Sequence, residues 1–435
     1  MIPLSVEEVR ALAPGKLAVA SGVERFTGVA ADSRRVARGD LFVAVGRGAD
    51  FLADAQTRGA GGTLVPEDAF AALAALGGAV REKSAARVVG ITGSTGKTST
   101  KDILAALCRP HARTVAAEAS YNNEVGLPLT LCRIEPDTEV VVVEMAMRGL
   151  GQIAALAAAA RPDVGVVTSI GPAHLELVGT VERVAEAKAE LIDALPPGGT
   201  AVVPAGESLL EPYLRDDLEV VRFGQGGDVA LRDFRPLSHG ARVEVEVYGD
   251  ALTLDFNFRS RHNAENALAA LAAYRALGLS LAEAQRGALD VVLSRWREEE
   301  MELAAGGLLL NDCYNANPIS MRAALVYLGE RAGSRRRIAV LGHMAELGSD
   351  ARAYHREIGQ AAGRAGVDVL VAIGEPGRGY LEGAAAVPET HWAADVGEAI
   401  ARLREVLQPG DCVLVKGSRA AGLEAVAEAL TSVPA

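Results

Sequence analysis

A short apolar run, Val88-Val89-Gly90-Ile91-Thr92, gives way to Gly93-Ser94-Thr95-Gly96 and then to Lys97-Thr98-Ser99, where a helical pattern begins. Little else in the sequence constrains the fold so tightly, because a buried strand, a glycine turn and a helix must follow one another within a dozen residues. Glycines let backbone N–H groups turn toward phosphate oxygens, and a helix N-terminus adds partial positive charge. The loop therefore predicts a nucleotide site, with Gly93, Ser94, Thr95, Gly96 and Ser99 around the phosphates. Lys97 would reach the β- and γ-phosphates, and the Thr98 hydroxyl would ligate Mg²⁺. The strict pattern has a glycine five positions before Gly96, where Ile91 stands, so this is a shorter variant. The plainer alternative is a glycine turn between strand and helix with no ligand.

The 435 residues exceed one ordinary core, so two or three domains are expected. A net charge of −12 argues against nucleic acid as a partner, yet local loops and lysines can hold phosphates within an acidic chain. Cys108, Cys132, Cys313 and Cys412 are scattered without metal-ligand spacing, which fits a reduced compartment. The N-terminus lacks a signal-peptide pattern, and the longest apolar stretches, such as 153–160, fall short of a membrane span. A cytoplasmic protein is the expectation. Only six of the 44 basic residues are lysine, and Lys97, Lys188 and Lys416 lie within candidate motifs. Arginine cannot stand in for an amine that must be compact or lose its proton.

Along the chain, strand-like runs at 40–45 and 62–65, a helical stretch at 67–76 and the polar residues 81–84 outline a first domain, 1–82. Apolar strands at 88–92, 139–143 and 164–169 then alternate with helices, as in a parallel, helix-covered sheet. Residues 242–258 alternate around Gly249-Asp250 as an antiparallel hairpin, and a helix follows at 264–277. This second domain is placed at 83–298. Strands at 308–310, 337–341, 367–373 and 412–415 define a third, 299–435. The fold class is α/β.

Two residues, Glu144 and His174, stand where ligands of such sheets gather. Glu144 ends the run Val140-Val141-Val142-Val143, and a carboxylate at the C-terminal end of a parallel strand faces the ligand crevice. His174 follows the strand at 164–169, although Mg²⁺ usually takes oxygen ligands. Lys188 sits in a helical segment among carboxylates and, by itself, reads as a surface lysine.

The ordered series Thr92-Gly93-Ser94-Thr95-Gly96-Lys97-Thr98, Glu144, Ala173-His174-Leu175-Glu176, Lys188, His262-Asn263-Ala264-Glu265-Asn266, Ser294-Arg295 and Asn311-Asp312 resembles the Mur ligases. These enzymes form amides in peptidoglycan synthesis. Further segments resemble the branch of that family that joins D-alanyl-D-alanine to UDP-N-acetylmuramoyl-tripeptide. They are residues 122–131, Asp312-Cys313-Tyr314-Asn315-Ala316-Asn317-Pro318, residues 341–348 and Val415-Lys416-Gly417-Ser418-Arg419.

The resemblance implies a small N-terminal α/β substrate domain, a central P-loop ATPase-type parallel sheet with an appended hairpin, and a C-terminal Rossmann-like domain for the incoming amine. It implies ATP with two Mg²⁺ ions, one held by Thr98 and Glu144, the other by His174 and a carbamylated Lys188. Asn266 would meet adenine, Asp312 the ribose, and Arg295 would lie near the nucleotide. Ser33 and Arg34 would hold the UDP-sugar peptide, and Asn122, Asn123, Tyr314, Asn315 and Asn317 would contact substrate. A monomer is the expected state. The chain departs from the pattern at His343 and Asn311, where aspartates are usual, and residues 46–51 lack the usual glycine–histidine pair. Two other readings are a sister enzyme with the same ATP chemistry (an earlier Mur ligase or a folylpolyglutamate synthase) and a nucleotide-gated binding protein without ligase chemistry.

Overall fold

Strands buried on both faces need helices on both faces, and the apolar runs of this chain meet that condition twice. The computed structural model describes residues 1–432. Among them the largest sheet has nine strands. Its parallel part runs Glu219–Phe223, Thr200–Pro204, Val164–Val167, Arg87–Thr92, Val140–Glu144 and Thr114–Ala116 in spatial order. The glycine loop leaves the strand Arg87–Thr92, which lies between Val164–Val167 and Val140–Glu144. The C-terminal ends of three adjacent strands thus meet where the helix Lys97–Cys108 begins.

The hairpin expected at 242–258 is present as Ala241–Val247 and Asp250–Phe256. A third antiparallel strand, Val229–Pro236, joins it to the parallel part. That strand, with Thr200–Pro204 and Glu219–Phe223, escaped the sequence reading.

A second sheet of six strands carries Glu299–Glu302 antiparallel to Leu308–Asp312, then Cys412–Lys416, Arg337–Leu341, Val369–Ile373 and Glu389–Ala393 in parallel. Alternation along these strands sends Leu310, Leu341, Leu370 and Leu414 into one core. It sends Leu309, Val340, Val371 and Val413 into the other. A four-stranded sheet near the N-terminus is built from Gly15–Val19, Gly62–Pro66, Leu41–Val43 and Val29–Ala30.

Two compact units emerge. The first comprises Met1–Ser169, Ala185–Arg259 and Asn263–Val292, the second Ile170–Val184, Ser260–His262 and the chain from Leu293 onward. The helix expected at 67–76 runs over Ala69–Glu82. Its Arg81 donates to the carbonyls of Ala160 and Arg161, and a side chain at Gly77 would collide with Pro128. The N-terminal and central sheets accordingly share the first unit. No helix among the described residues is long and apolar enough to cross a membrane.

Candidate active site

The loop after Arg87–Thr92 depends on two glycines. Gly93 has φ 148° and Gly96 φ 84°, where other residues are strained. A side chain at Gly93 would also strike the Thr168 hydroxyl, and one at Gly96 the Asn266 side-chain oxygen. The end of the neighbouring strand braces the loop. Ser94 N–H donates to the Ser169 carbonyl at 2.9 Å and Thr95 N–H to Ser169 Oγ at 3.0 Å. Thr168 Oγ1 donates to the Thr95 carbonyl at 2.5 Å. Thr168 and Ser169 were not singled out from the sequence, because ordinary hydroxyl residues leave no spacing signal.

Lys97, the first residue of the helix Lys97–Cys108, donates from Nζ to the Gly93 carbonyl at 2.7 Å, closing the amine over the loop. Thr98 is buried, and its Oγ1 donates to Glu144 Oε2 at 2.8 Å. Asn122 Nδ2 donates to Glu144 Oε1 at 2.8 Å. A buried carboxylate costs free energy unless such donors satisfy it, so Glu144 is held by design in one orientation at its strand end. A hydroxyl beside a carboxylate fits the oxygen-donor chemistry of Mg²⁺. No group of three or more His, Cys, Asp and Glu gathers into a metal cage among the described residues. Mg²⁺ needs none, since it keeps waters and shares phosphate oxygens.

Lys188 corrects an expectation. It is 2 % exposed, not a surface lysine. Burial, and then the nearby Lys97 charge, hold its amine well below the ordinary lysine value. The first unit thus brings together residues 93–99, Asn122, Glu144, Lys188 and Asn266. Lys101, three residues past Thr98, is also buried and donates to the carbonyls of Ala117 and Ala119. It anchors the segment that carries Asn122, a role the scarcity of lysine could have flagged. Asn123 accepts from the N–H groups of Val125 and Gly126, fixing the turn that leads into the helix Gly126–Leu131. In the N-terminal sheet region Ser33 is buried, and the Arg34 guanidinium and N–H hold the Asp32 carboxyl down at about 2.

The second unit holds the remaining candidates. His174 has φ 58° and precedes the helix Leu175–Val178, with its Nδ1 2.5 Å from Glu346 Oε2. Asp312 ends the strand Leu308–Asp312 opposite Lys416, whose Nζ lies 2.5 Å from Asp312 Oδ2 and 3.1 Å from the Asn315 carbonyl. The exposed Arg295 and Arg419 have guanidinium carbons 5.5 Å and 4.3 Å from the Trp296 ring centre, while Arg297 lies 4.2 Å from that of Tyr314. Asn315 accepts from the Ala316 N–H, and Asn317 caps the helix Pro318–Ala332 in a box with Ser320. At the departures, the Asn311 amide donates to Glu299, and burial lowers the His343 imidazole below its ordinary value. An aspartate at 311 could not donate that bond.

Comparison with known proteins gives the same picture along the chain. The family described as Mur ligase middle domain matches residues 91–274, and that described as Mur ligase, glutamate ligase domain matches residues 296–419. UDP-N-acetylmuramoyl-tripeptide–D-alanyl-D-alanine ligase of Mycobacterium bovis is 37 % identical, covering 99 % of this chain and 98 % of its own. A crystal structure of MurF from Acinetobacter baumannii superposes with a TM-score of 0.88 at 27 % identity, covering 99 % of each chain. MurF ligase from Thermotoga maritima in complex with ADP gives 0.80 at 29 %, covering 93 % of this chain and 97 % of that one. The phosphate loop, the buried Glu144 and this end-to-end similarity together establish that the chain belongs to the Mur ligase family.

Proposed function

We propose that this protein is the cytoplasmic ATP-dependent ligase that adds D-alanyl-D-alanine to UDP-N-acetylmuramoyl-tripeptide for peptidoglycan synthesis, acting as a monomer. The observation that carries the reading is similarity to relatives named for that reaction over nearly the whole chain. Sister ligases share the ATP chemistry, so the substrates are distinguished by what surrounds it, and here the likeness extends beyond the ATP-binding core. The domains are 1–82 for the UDP-sugar peptide, 83–298 for ATP, and 299–435 for the incoming dipeptide.

In the reaction, the tripeptide's terminal carboxylate attacks the γ-phosphorus of ATP, and the bond to the β-phosphate oxygen breaks, releasing ADP. The amine of D-alanyl-D-alanine then attacks the carbonyl of the acyl phosphate, the C–O bond to phosphate breaks, and phosphate leaves with amide formation. Lys97, at present bonded to the Gly93 carbonyl, turns its charge to the β- and γ-phosphates, and the amides at the helix start, Gly96 to Ser99, fix their oxygens. Mg²⁺, when bound, offsets phosphate charge. Thr98 and Glu144 hold one ion, and Asn122 keeps the carboxylate aimed.

His174 and a carbamylated Lys188 hold the second ion. Carbamate forms only on a neutral amine, and the burial of Lys188 supports it. Asn266 receives adenine beside Gly96, and Asp312, braced by Lys416, receives the ribose near Arg295. Ser33 and Arg34 contact the UDP-sugar peptide. Asn122, Asn123, Tyr314, Asn315 and Asn317 shape the substrate sites, several of them by fixing local backbone.

The test is ADP release with UDP-N-acetylmuramoyl-tripeptide, with and without D-alanyl-D-alanine, followed by product mass. Formation of the pentapeptide only when both substrates are present is expected. Turnover that prefers a single amino acid, or a folate, would overturn the substrate assignment.

A further inference from the structure

We propose that Glu346 is the positioning residue of His174, fixing which ring nitrogen is offered to a metal ion. The inference rests on the reading of His174 as a Mg²⁺ ligand.

Four observations carry it. The first is the 2.5 Å approach of His174 Nδ1 to Glu346 Oε2. With Nδ1–H donating to the carboxylate, the corresponding neutral tautomer carries its lone pair at Nε2. Imidazoles that ligate metals characteristically donate their other N–H to a carboxylate or carbonyl, which sets tautomer and ring orientation.

The second is backbone conformation. His174 has φ 58° and Glu346 φ 60°, and neither is glycine. Left-handed residues of this kind persist where surrounding structure over-determines them, and they cluster at functional sites.

The third is the construction of the segment that delivers Glu346. Tyr380 Oη donates to the Gly342 carbonyl at 2.8 Å, Met344 N–H to Nε2 of the buried His355 at 3.0 Å, and Ala345 N–H to Ser418 Oγ at 2.8 Å. Three successive ties therefore precede Glu346, leaving its carboxylate on a fixed base instead of a loose surface loop.

The fourth is a backbone tie between the two segments, since Glu176 N–H donates to the Glu346 carbonyl at 3.1 Å. Side chain and main chain of Glu346 thus both engage residues 174–176, across a sequence separation of about 170 residues.

A simple tether between the segments would use the same contacts, so the experiment must read the metal. Mn²⁺ bound by the full chain with a non-hydrolysable ATP analogue is counted by electron paramagnetic resonance for wild type, H174A, E346A, E346Q and H174A/E346A. Thermal unfolding of each is recorded alongside. The expected result is one Mn²⁺ weakened by about 10- to 100-fold in E346A. E346Q, which retains an acceptor of the same size, should lose less than E346A. The double variant should bind no more weakly than H174A, because Glu346 acts through the ring.

Wild-type Mn²⁺ affinity in E346A and E346Q, with H174A weakened, would overturn the positioning role while leaving His174 as a ligand. Unchanged binding in H174A would remove the metal role of His174 and Glu346's role with it. A double variant weaker than H174A by the full E346A factor would show that Glu346 acts independently of the ring.

Discussion

Lys188 and Lys416 are equally inaccessible, each 2 % exposed, one in the first unit and one in the second. Lys416 lies against a carboxylate, with Asp312 at 2.5 Å. Lys188 faces another cation, Lys97, and its amine is driven toward neutrality. Depth of burial alone therefore says little about what a lysine does. A paired amine serves as a charged strut that orients a carboxylate, whereas a desolvated amine becomes a nucleophile able to take up CO₂.

The largest effect expected is from Lys97→Ala, which removes the phosphate contact and also the cation facing Lys188. ADP release should fall by at least about a thousandfold in a protein whose circular dichroism is unchanged. Turnover near wild type in that folded variant would detach the loop from catalysis.

Asp312→Ala tests the paired lysine. Leaving Lys416 buried without its partner should destabilise the second unit by roughly 3 kcal/mol, seen as a lower midpoint in urea unfolding, and should raise the KM for ATP. An unchanged midpoint would mean that the pair is not a strut.

Lys188→Ala should cost about a hundredfold in turnover, with partial rescue by acetate or bicarbonate. Unlike the Asp312 variant, Lys188→Met should unfold at the same temperature as wild type or higher, because it replaces a desolvated amine with an apolar chain. The sign with pH follows from the lowered amine value. Between that value and the ordinary lysine value Lys188 remains neutral and open to CO₂, and below it the amine protonates and the carbamate is lost. Labelled ¹³C-bicarbonate should therefore give a carbamate resonance that persists to lower pH than on an ordinary lysine and disappears on further acidification. A resonance that appears only under alkaline conditions would identify an ordinary lysine.

The smallest effect belongs to Asn311→Asp. It sets a carboxylate opposite Glu299 across two paired strands and should cost about 1 kcal/mol in urea unfolding. No change would mean that the Asn311 amide is dispensable to the pairing of these strands.

What could be read from the sequence follows the same division. The runs 88–92, 139–143 and 337–341 were legible because strands buried on both faces cannot hide their apolar character. Gly93 and Gly96 were legible because the backbone permits few alternatives at those positions, and Lys97 by its place directly after them. Without the family resemblance, Lys188 reads as a surface lysine, since charges crowd its helix, Val181–Asp193, and periodicity reports a face but not its depth. Glu346 lies in the family-like run 341–348, but its pairing with His174 was illegible, because a left-handed glutamate has no composition cue and its partner lies far away in sequence. The edge strands Glu299–Glu302 and Glu389–Ala393 were too polar to stand out against turns.

The second unit is assembled from three separate stretches of chain, including Ile170–Val184 and Ser260–His262. His174 and Trp296, which meet Glu346 and Arg419 in that unit, both precede residue 299. Expressing residues 299–435 alone would thus leave out part of the unit's own packing, and a chimera exchanging only that C-terminal piece between relatives would inherit a mismatched seam at 170–184. Recombination that preserves this body must transplant three gene segments together, so its sequence is tied to that of the sheet it interrupts.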